Sequence, residues 1–470
     1  MRRAHLGIAM LAVLRMGVPA AAQMRVSPAM EAQQDSGQSK PSMQPGQQQM
    51  DDMGDMDMGD MPGMSKPQDP AAKLLMQESS GTSVQPRGWA MPMVMTRSGA
   101  WQLGWMAQAF VTDVQQSHEK TPLGEIERGG DKFYSTNWGM LSAEHTLGGG
   151  AVELRMMLSL EPATITDRRY PELFQVGETA YGQAIEDGQH PHNLVMEVGA
   201  QYAHRTDGAL VNFYYAPVGD PALGPTAYPH RASAAELPQA TLAHHYEDST
   251  HIADNVATAE VAWSKVNVEV SGFYGREPGE NRWTVGFGAM DSWSARLTWL
   301  PAKDWMAQMS TGRLKHPEAL EAGDEERTTA SVEYAKGERA ASVIWGRDYK
   351  TRVGARSGYA VNAVTVEGVT PVGKKNYVTG RMEWSQRDEL FAAQGSALPR
   401  WIDVTAFTGG YTREVGRWRD ADVGIGANAT AYTADDLSAI SAVYGKRPWG
   451  VSVYVRVRLK EHPQSLKAVP

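Results

Sequence analysis

Residues 265–270, KVNVEV, decide the fold class of this 470-residue chain. Valine occupies every second position, and lysine, asparagine and glutamate occupy the positions between. In an extended segment, successive side chains point to opposite faces, so one face is apolar and the other is polar. Val451, Val453, Val455 and Val457 repeat this pattern near the end of the chain. The two-residue period predicts β-strands with one apolar face.

Similar runs follow one another from about Gly99 onward, including Phe133–Thr146, Ala209–Val218 and Trp449–Leu459. Many are about 8–13 residues long, which is the length that a tilted strand needs to cross a bilayer. A soluble sandwich or propeller would also alternate, but the 14 Trp and 17 Tyr against 8 Phe favour the aromatic girdles of a membrane barrel. We therefore predict an all-β, antiparallel outer-membrane β-barrel of roughly 14–18 strands.

The segments before and inside this strand-rich body predict the domain organisation. Arg2 and Arg3, the apolar run Leu6–Leu14 and the small residues up to Ala22 indicate an export signal peptide over 1–22. We expect a disordered head rich in Met, Asp and Gln over 23–96, the transmembrane barrel over 97–460 and a tail over 461–470. The longest interval without strand pattern, 217–256, predicts a functional loop or plug. The expected location is the bacterial outer membrane.

The composition excludes several classes of function. There is no cysteine, so disulfides, thiolate metal sites and blue-copper centres are excluded. The formal net charge of −9 argues against a nucleic-acid partner, since such proteins carry a basic surface. Outer-membrane lipid and metal ions are the partners that the remaining patterns favour.

The stretch 50–64, MDDMGDMDMGDMPGM, is a candidate ligand-rich segment within the predicted head. Thioether sulfur is a soft ligand suited to Cu(I), and carboxylate oxygen suits harder ions. The alternative is an acidic disordered spacer. The candidate sulfur ligands recur every two or three residues and are Met53, Met56, Met58, Met61 and Met64.

The histidines indicate a second candidate metal site, in the predicted plug. His190 and His192 stand two residues apart, so an extended segment would point both imidazoles to the same side. A helix through 244–251 would place His244, Asp248 and His251 on one face. The alternative is a set of histidines that form ordinary hydrogen bonds in a polar loop.

The layout of signal peptide, Met- and Asp-rich head and barrel resembles the copper-resistance protein B group of bacterial outer membranes. The resemblance rests on residues 50–64 and on the order of the parts. It implies copper as the bound ion and periplasmic metal-handling proteins as partners. The barrel segments GQHPHN (188–193) and HHYEDSTHIAD (244–254) look more like an uncharacterised family of exported barrels.

Three functions remain open from the sequence. The first is binding, sequestration or passage of copper-type ions, and the second is a general porin or structural outer-membrane protein. The third is a barrel-embedded hydrolase that would use His245, Asp248 and Ser249. No GxSxG motif supports the third, so we predict that the protein is not an enzyme.

Overall fold

The computed structural model describes residues 69–118, 128–249, 253–320, 322–351, 357–390, 401–435 and 438–460. Several predictions lie outside these residues and are not addressed by the fold. They are the signal peptide, the head up to residue 68, the tail 461–470 and the candidate ligands Met53, Met56, Met58, Met61, Met64 and His251.

Strands dominate the described residues. In chain order they are β1 Glu78–Ser80, β2 Ser83–Val84, β3 Val94–Ser98, β4 Trp101–Gln116, β5 Asp131–Leu147, β6 Gly150–Leu158, β7 Tyr170–Ala180, β8 Gln183–Gln189, β9 Val195–Arg205, β10 Leu210–Gly219, β11 Ala253–Trp263, β12 Val266–Tyr274, β13 Ser292–Ala302, β14 Trp305–Leu314, β15 Glu325–Lys336, β16 Arg339–Lys350, β17 Tyr359–Val372, β18 Asn376–Arg387, β19 Ile402–Trp418, β20 Ala421–Ala434 and β21 Trp449–Leu459. The helices are α1 Pro70–Leu75, α2 Glu161–Thr164, α3 His244–Glu247 and α4 Ser438–Tyr444, with 3₁₀ turns at Thr166–Arg168 and Ala232–Ala234.

Sixteen of these strands form one closed antiparallel ring, which runs through β4, β5, β6 and β9 and then through β10 to β21 in order. The ring closes where β21 pairs with β4, from Gly450 opposite Gln116 to Arg458 opposite Gln108. Strand β3 pairs with the first part of β4 and adds a short extra strand beside the closure. Closure leaves no open edge in the ring of sixteen strands, so their backbone groups are paired as a membrane interior requires. The predicted fold class and strand number are confirmed.

The two faces of the barrel follow the two-residue period of the sequence. On β12, Val268 and Val270 are 50% and 54% exposed on the outer surface, whereas Glu269 between them is 1% exposed. An apolar outer face and a polar inner face are typical of a transmembrane barrel. Not every tyrosine contributes to an outer girdle, since Tyr134 and Tyr214 point inward and are buried. None of the described helices is long and apolar enough to cross a membrane.

Short turns and long connections lie at opposite ends of the barrel. Gly148 and Gly149 form one of the short turns, and their φ angles of 56° and 81° are left-handed values that glycine adopts without strain. Two of the long connections, between β6 and β9 and between β10 and β11, carry α2, α3, both 3₁₀ turns and the β7–β8 hairpin.

The connection between β10 and β11 fills the lumen, and we call its residues Asp220–Ser249 the plug. All are buried except Pro229, Ala235 and Gln239, which are half-buried. Polar atoms of the plug bond to strands around the ring: the Gly224 amide donates to Ser310 Oγ at 2.7 Å, and the Leu242 amide donates to Glu383 Oε1 at 2.6 Å.

Residues 69–92, which we call the inner segment, also lie inside the barrel. Apolar residues of α1, including Leu75, pack against Ala151, Ala203 and other small side chains of the inner wall. Glu78 approaches Arg155 at 3.5 Å. The prediction of a disordered head up to residue 96 and a barrel from 97 is therefore wrong for 69–96, because this range is ordered and β3 already begins at Val94. The cause is tertiary, because the partners of this segment are supplied by distant strands.

We expect a charged residue on the outer face to destabilise the barrel more in the middle of the bilayer than near its surface. Val366 lies in the middle of β17 and Val372 at its end, and both are exposed on the same outer face. Val366→Arg should destabilise the folded barrel by about 2–4 kcal/mol, and Val372→Arg by about 0–1 kcal/mol. The measurement is equilibrium unfolding in lipid bilayers. Equal effects at the two positions would contradict the assignment of this face to lipid.

Candidate metal centre in the plug

Three histidines from two long connections meet inside the barrel. His190 follows directly after β8, and His244 and His245 begin the single turn of α3 in the plug. This turn is held by backbone hydrogen bonds, including Asp248 N to the carbonyl of His244 at 3.1 Å. One ring nitrogen from each of the three histidines lies within 4.8 Å of the others, and all three residues are buried.

The rings are close enough to share one ion. Their centroids are 4.1 Å apart for His244 and His245, 5.8 Å for His190 and His245, and 6.3 Å for His190 and His244. Imidazole nitrogens bind transition metals at about 2.0–2.1 Å. Nitrogens that share one ion at this bond length lie at most about 4 Å apart, so the rings must draw together slightly from separations of up to 4.8 Å.

A glycine makes room for one of these rings. A Cβ placed on Gly177 of β7 would lie 2.9 Å from Cε1 and 3.0 Å from Nδ1 of His245. The φ of Gly177 is +123°, which is a conformation that other residues rarely adopt. The irregular hairpin β7–β8 thus seats His245 directly against its backbone.

Carbonyl groups orient two of the rings. His190 Nδ1 lies 3.0 Å from the carbonyl oxygen of Pro191, and His244 Nε2 lies 3.1 Å from Oε1 of Gln189. A carbonyl oxygen can only accept a hydrogen bond, so these nitrogens carry the proton and the other nitrogen of each ring holds a lone pair. Such outer contacts fix the tautomer of histidines that bind metals.

Two acids border the cluster. Glu178 Oε1 lies 2.9 Å from His190 Nε2, and Glu277 Oε1 lies 3.5 Å from His245 Nδ1. Glu178 also contacts Arg282. A neutral His190 would present the lone pair of Nε2 to the lone pairs of the Glu178 carboxylate, and these repel. The contact is favourable only when a proton or a cation lies between the two atoms.

Burial keeps the imidazoles in the form that binds metals. Loss of solvent lowers the pKa of His190, and it lowers the pKa of His245 well below its usual range, with His190 and two arginines adding to the shift at His245. Both rings are therefore neutral at neutral pH. Deprotonated imidazole is the metal-binding form of histidine.

The structure brings together only part of the predicted site. His190 and His244 converge, but His192 turns away, with its Nδ1 2.8 Å from Glu161 Oε2 and its backbone nitrogen 2.7 Å from the same atom. The prediction that His190 and His192 project together is wrong, because Gln189 is the last residue of β8 and the chain is not a regular strand beyond it.

The predicted helical face through His244, Asp248 and His251 is also wrong within the described residues. Helix α3 ends at Glu247, and Asp248 has φ −133° and ψ −167°, so it is extended. The carbonyl of Asp248 accepts a hydrogen bond from Arg327 at 3.0 Å. Ser233 and Glu236 of the plug bond to Glu367 and Arg458 of the wall, respectively.

His245 is the ligand candidate that the metal-site prediction missed. Helical periodicity could not select it, because its neighbours come from β7 and β8, which are distant in the sequence. The adjacent pair His244-His245 was the only local signal. The hydrolase alternative named His245 with Asp248 and Ser249, but His245 faces Glu277, and Ser249 hydrogen-bonds to the side chain of Asp220.

No protein-family model and no curated protein matches the sequence. Among solved structures, the chain is similar to a loop L8 deletion mutant of OmpT, an outer membrane protein of Vibrio cholerae, with a TM-score of 0.47 and 11% identity over 76% of this chain and 99% of that chain. The outer membrane channel DcaP of Acinetobacter baumannii gives a TM-score of 0.47 and 10% identity, covering 77% and 99%.

An anion-selective porin from Comamonas acidovorans gives a TM-score of 0.44 and 14% identity, covering 76% of this chain and 99% of that chain. None of these TM-scores reaches 0.5. The fold assignment therefore rests on the strand pairing of this chain itself.

Proposed function

We propose that this protein is a plugged outer-membrane barrel that binds a divalent transition-metal ion in its plug and so captures metal at the cell envelope. The observation that carries the proposal is the approach of one ring nitrogen each from His190, His244 and His245 to within 4.8 Å in a buried setting. The closed barrel with its apolar outer face supports the bacterial outer membrane as its location.

The donor set favours a particular class of ion. Imidazole nitrogen suits Zn, Cu, Ni and Fe, whereas Mg and Ca prefer oxygen ligands. Three neutral imidazoles with Glu178 and Glu277 nearby match the first group. Copper, the ion implied by the resemblance of the layout, belongs to that group, and direct comparison of Cu(II) with Zn(II) tests the preference.

The filled lumen supports binding or sequestration rather than free passage. The plug and residues 78–86 of the inner segment are buried between the strands of the ring. An ion bound by His190, His244 and His245 could cross the barrel only after the plug moved. Capture is therefore the function that this arrangement favours.

The plug histidines should control the affinity for divalent metal. His244→Gln and His190→Gln each remove an imidazole while keeping a polar side chain, so each should weaken Zn(II) and Cu(II) binding by at least about 10–100-fold. The measurement is isothermal titration calorimetry on the full chain in detergent.

His204→Gln is the matched control, since His204 is an exposed histidine that contacts Tyr202 near a short turn. It should leave both affinities unchanged. Wild-type affinity in His244→Gln and His190→Gln, with the barrel still folded, would sink the proposed site.

The methionines of 50–64 stay a prediction that lies outside the described residues. Replacing Met53, Met56, Met58, Met61 and Met64 together by Ser keeps the length and the acidic residues and removes the soft ligands. This variant should bind fewer Cu(I) equivalents per chain in a chelator competition assay. A matched variant with five aspartates of the same stretch changed to Asn should keep the Cu(I) stoichiometry. Equal stoichiometry in the Ser variant and the wild type would show that this stretch is a spacer.

A gated channel is the second candidate function, and the size of the ring favours it. Barrels of about 16–18 strands leave an aqueous channel when their lumen is open. Here Glu367 holds the plug through Arg231 Nε at 2.7 Å and also binds Arg381 of the wall at 2.8 Å. If the protein is a gated channel, the ion pair between Glu367 and Arg231 must break when the plug moves.

Glu367→Gln should weaken the closed state, because two buried guanidinium groups lose a common partner at a cost of about 3–5 kcal/mol. If the barrel is a gated channel, single-channel recordings in planar bilayers should show more frequent opening than in the wild type. Glu326→Gln, at an exposed position of β15, is the control and should not change the recordings. A silent Glu367→Gln barrel that remains folded would count against the channel.

A further inference from the structure

A row of methionines crosses three adjacent strands on the inner wall. Met106 of β4 lies directly opposite Met140 of β5, and Met140 lies directly opposite Met157 of β6. All three are at most 5% exposed and face the lumen. They form one cluster with Met196, which is also buried.

The end of the inner segment and the residues just after it add further thioethers to this row. Met91 and Met93 are half-buried and pack against the cluster. A Cβ placed on Gly104 would lie 3.0 Å from Sδ of Met93 and 3.4 Å from Sδ of Met95. The space above this glycine of β4 is therefore shared by the two sulfur atoms and by Oγ of Ser142, which would lie 2.7 Å from the same Cβ.

Methionine is enriched in this cluster relative to the other buried apolar clusters of the described residues. The cluster and its half-buried neighbours contain six methionines, whereas the other buried apolar clusters of the described residues contain Met306 alone. Elsewhere Leu, Val, Ala and aromatic residues fill the interior. Methionine can simply fill irregular space, so the methionines by themselves do not define a site.

His230 of the plug supplies the second observation. It lines the same cavity as Met91, Met106 and Trp138, and the residue is only 5% exposed. Its Nδ1 has no hydrogen-bond partner among the described residues. Burial, with His192 and Arg155 adding to it, lowers the pKa of His230 to about 3, so the ring is neutral and offers a lone pair. A buried polar nitrogen without a partner is costly, so its presence calls for an explanation.

The cavity also has an aromatic wall and is lined by one arginine. The ring of Trp138 meets the ring of His230 at a centroid distance of 4.3 Å and an angle of 75°. Tryptophan is the aromatic side chain that best stabilises a nearby cation through its π face. Arg231 lines the cavity too, and its Nε lies 2.7 Å from Glu367, a carboxylate that it shares with Arg381.

We propose that this cavity is a binding site for a soft monovalent metal ion, Cu(I) or Ag(I), held by the thioethers of Met91 and Met106 and the imidazole of His230. Met93, Met140 and Met157 provide further soft donors beside it, and Trp138 shields the ion from other ligands. Thioether and imidazole donors without any carboxylate suit Cu(I) and disfavour hard cations. The site shares no ligand with the plug histidines His190, His244 and His245, so it does not rest on the function proposed above.

Silver(I) tests this site because it has the same softness and does not change oxidation state. The full chain, with Met53, Met56, Met58, Met61 and Met64 changed to Ser to remove background, is titrated with Ag(I) by calorimetry and soaked with Ag(I) in crystals. We expect one tightly bound Ag(I) per chain, with an anomalous-scattering peak between Met91, Met106 and His230.

Substitution of the sulfurs by carbon separates binding from packing. Met91→Leu with Met106→Leu preserves an apolar side chain of similar size and should weaken Ag(I) binding at this site by at least about tenfold. Met156→Leu is the matched control, since Met156 precedes Met157 on β6 but is 43% exposed on the outer face. His230→Gln gives a second, polar variant that should also lose the peak while the barrel stays folded.

Two results would overturn the proposal. One is unchanged Ag(I) affinity in the folded Met91→Leu, Met106→Leu double variant, which would reduce the methionines to packing residues. The other is an anomalous peak only at positions outside this cavity. Zn(II) binding by His190, His244 and His245 should be the same in all these variants. The Ag(I) and Zn(II) measurements therefore test the methionine cavity and the plug metal site separately.

Discussion

The ion pairs between the plug and the inner wall are the interactions on which the rest of the interior depends. Glu367 of β17 bonds to Arg231 of the plug at 2.7 Å and to Arg381 of β18 at 2.8 Å, and all three side chains are buried. On the neighbouring side, Glu236 of the plug binds Arg458 at 3.0 Å and contacts Arg456. Charges removed from water are costly unless they are paired. The ion pairs therefore hold the plug against the inward-facing side chains of the wall. By holding the plug, they also hold its residues His230, His244 and His245 in place.

The barrel inverts the usual distribution of polarity, and this inversion creates its sites. Valine faces lipid on β12 while Glu269 is buried. The plug fills the polar lumen. The histidine nitrogens and methionine sulfurs that line it are therefore shielded from water but still have polar neighbours. Two donor sets result. The set at β7, β8 and α3 consists of imidazoles bordered by acids, and the set at β4, β5 and β6 consists of thioethers with one imidazole. Nitrogen-rich and sulfur-rich donor sets select different metals.

Sequence reasoning predicted the candidate site only in part, for physical reasons. The clustering of histidines in 190–251 is visible in the sequence and correctly directs attention to the plug. The choice of ligands failed where it assumed regular secondary structure. Two-residue spacing did not place His192 beside His190, since Glu161 draws it elsewhere, and helical spacing did not place Asp248 beside His244, since the helix ends. The convergence of His245 with His190 depends on Gly177, which no local pattern connects to either residue. The methionines of β4, β5 and β6 align only through strand register, which local sequence does not specify.

The sequence by itself determined the barrel, its approximate strand number and the segment that forms the plug. Those properties follow from the two-residue period and from its interruption, because alternation along each strand is a local requirement of a wall between lipid and a polar lumen. Only the tertiary structure decided that the strands close as sixteen, that residues 69–92 lie inside the barrel and that His190, His244 and His245 meet. These outcomes depend on contacts between residues far apart in the chain. KVNVEV, residues 265–270, predicts on its own which side chains face outward, whereas the partner of Glu269, Arg296 at 2.6 Å, is set by the register of the next strand.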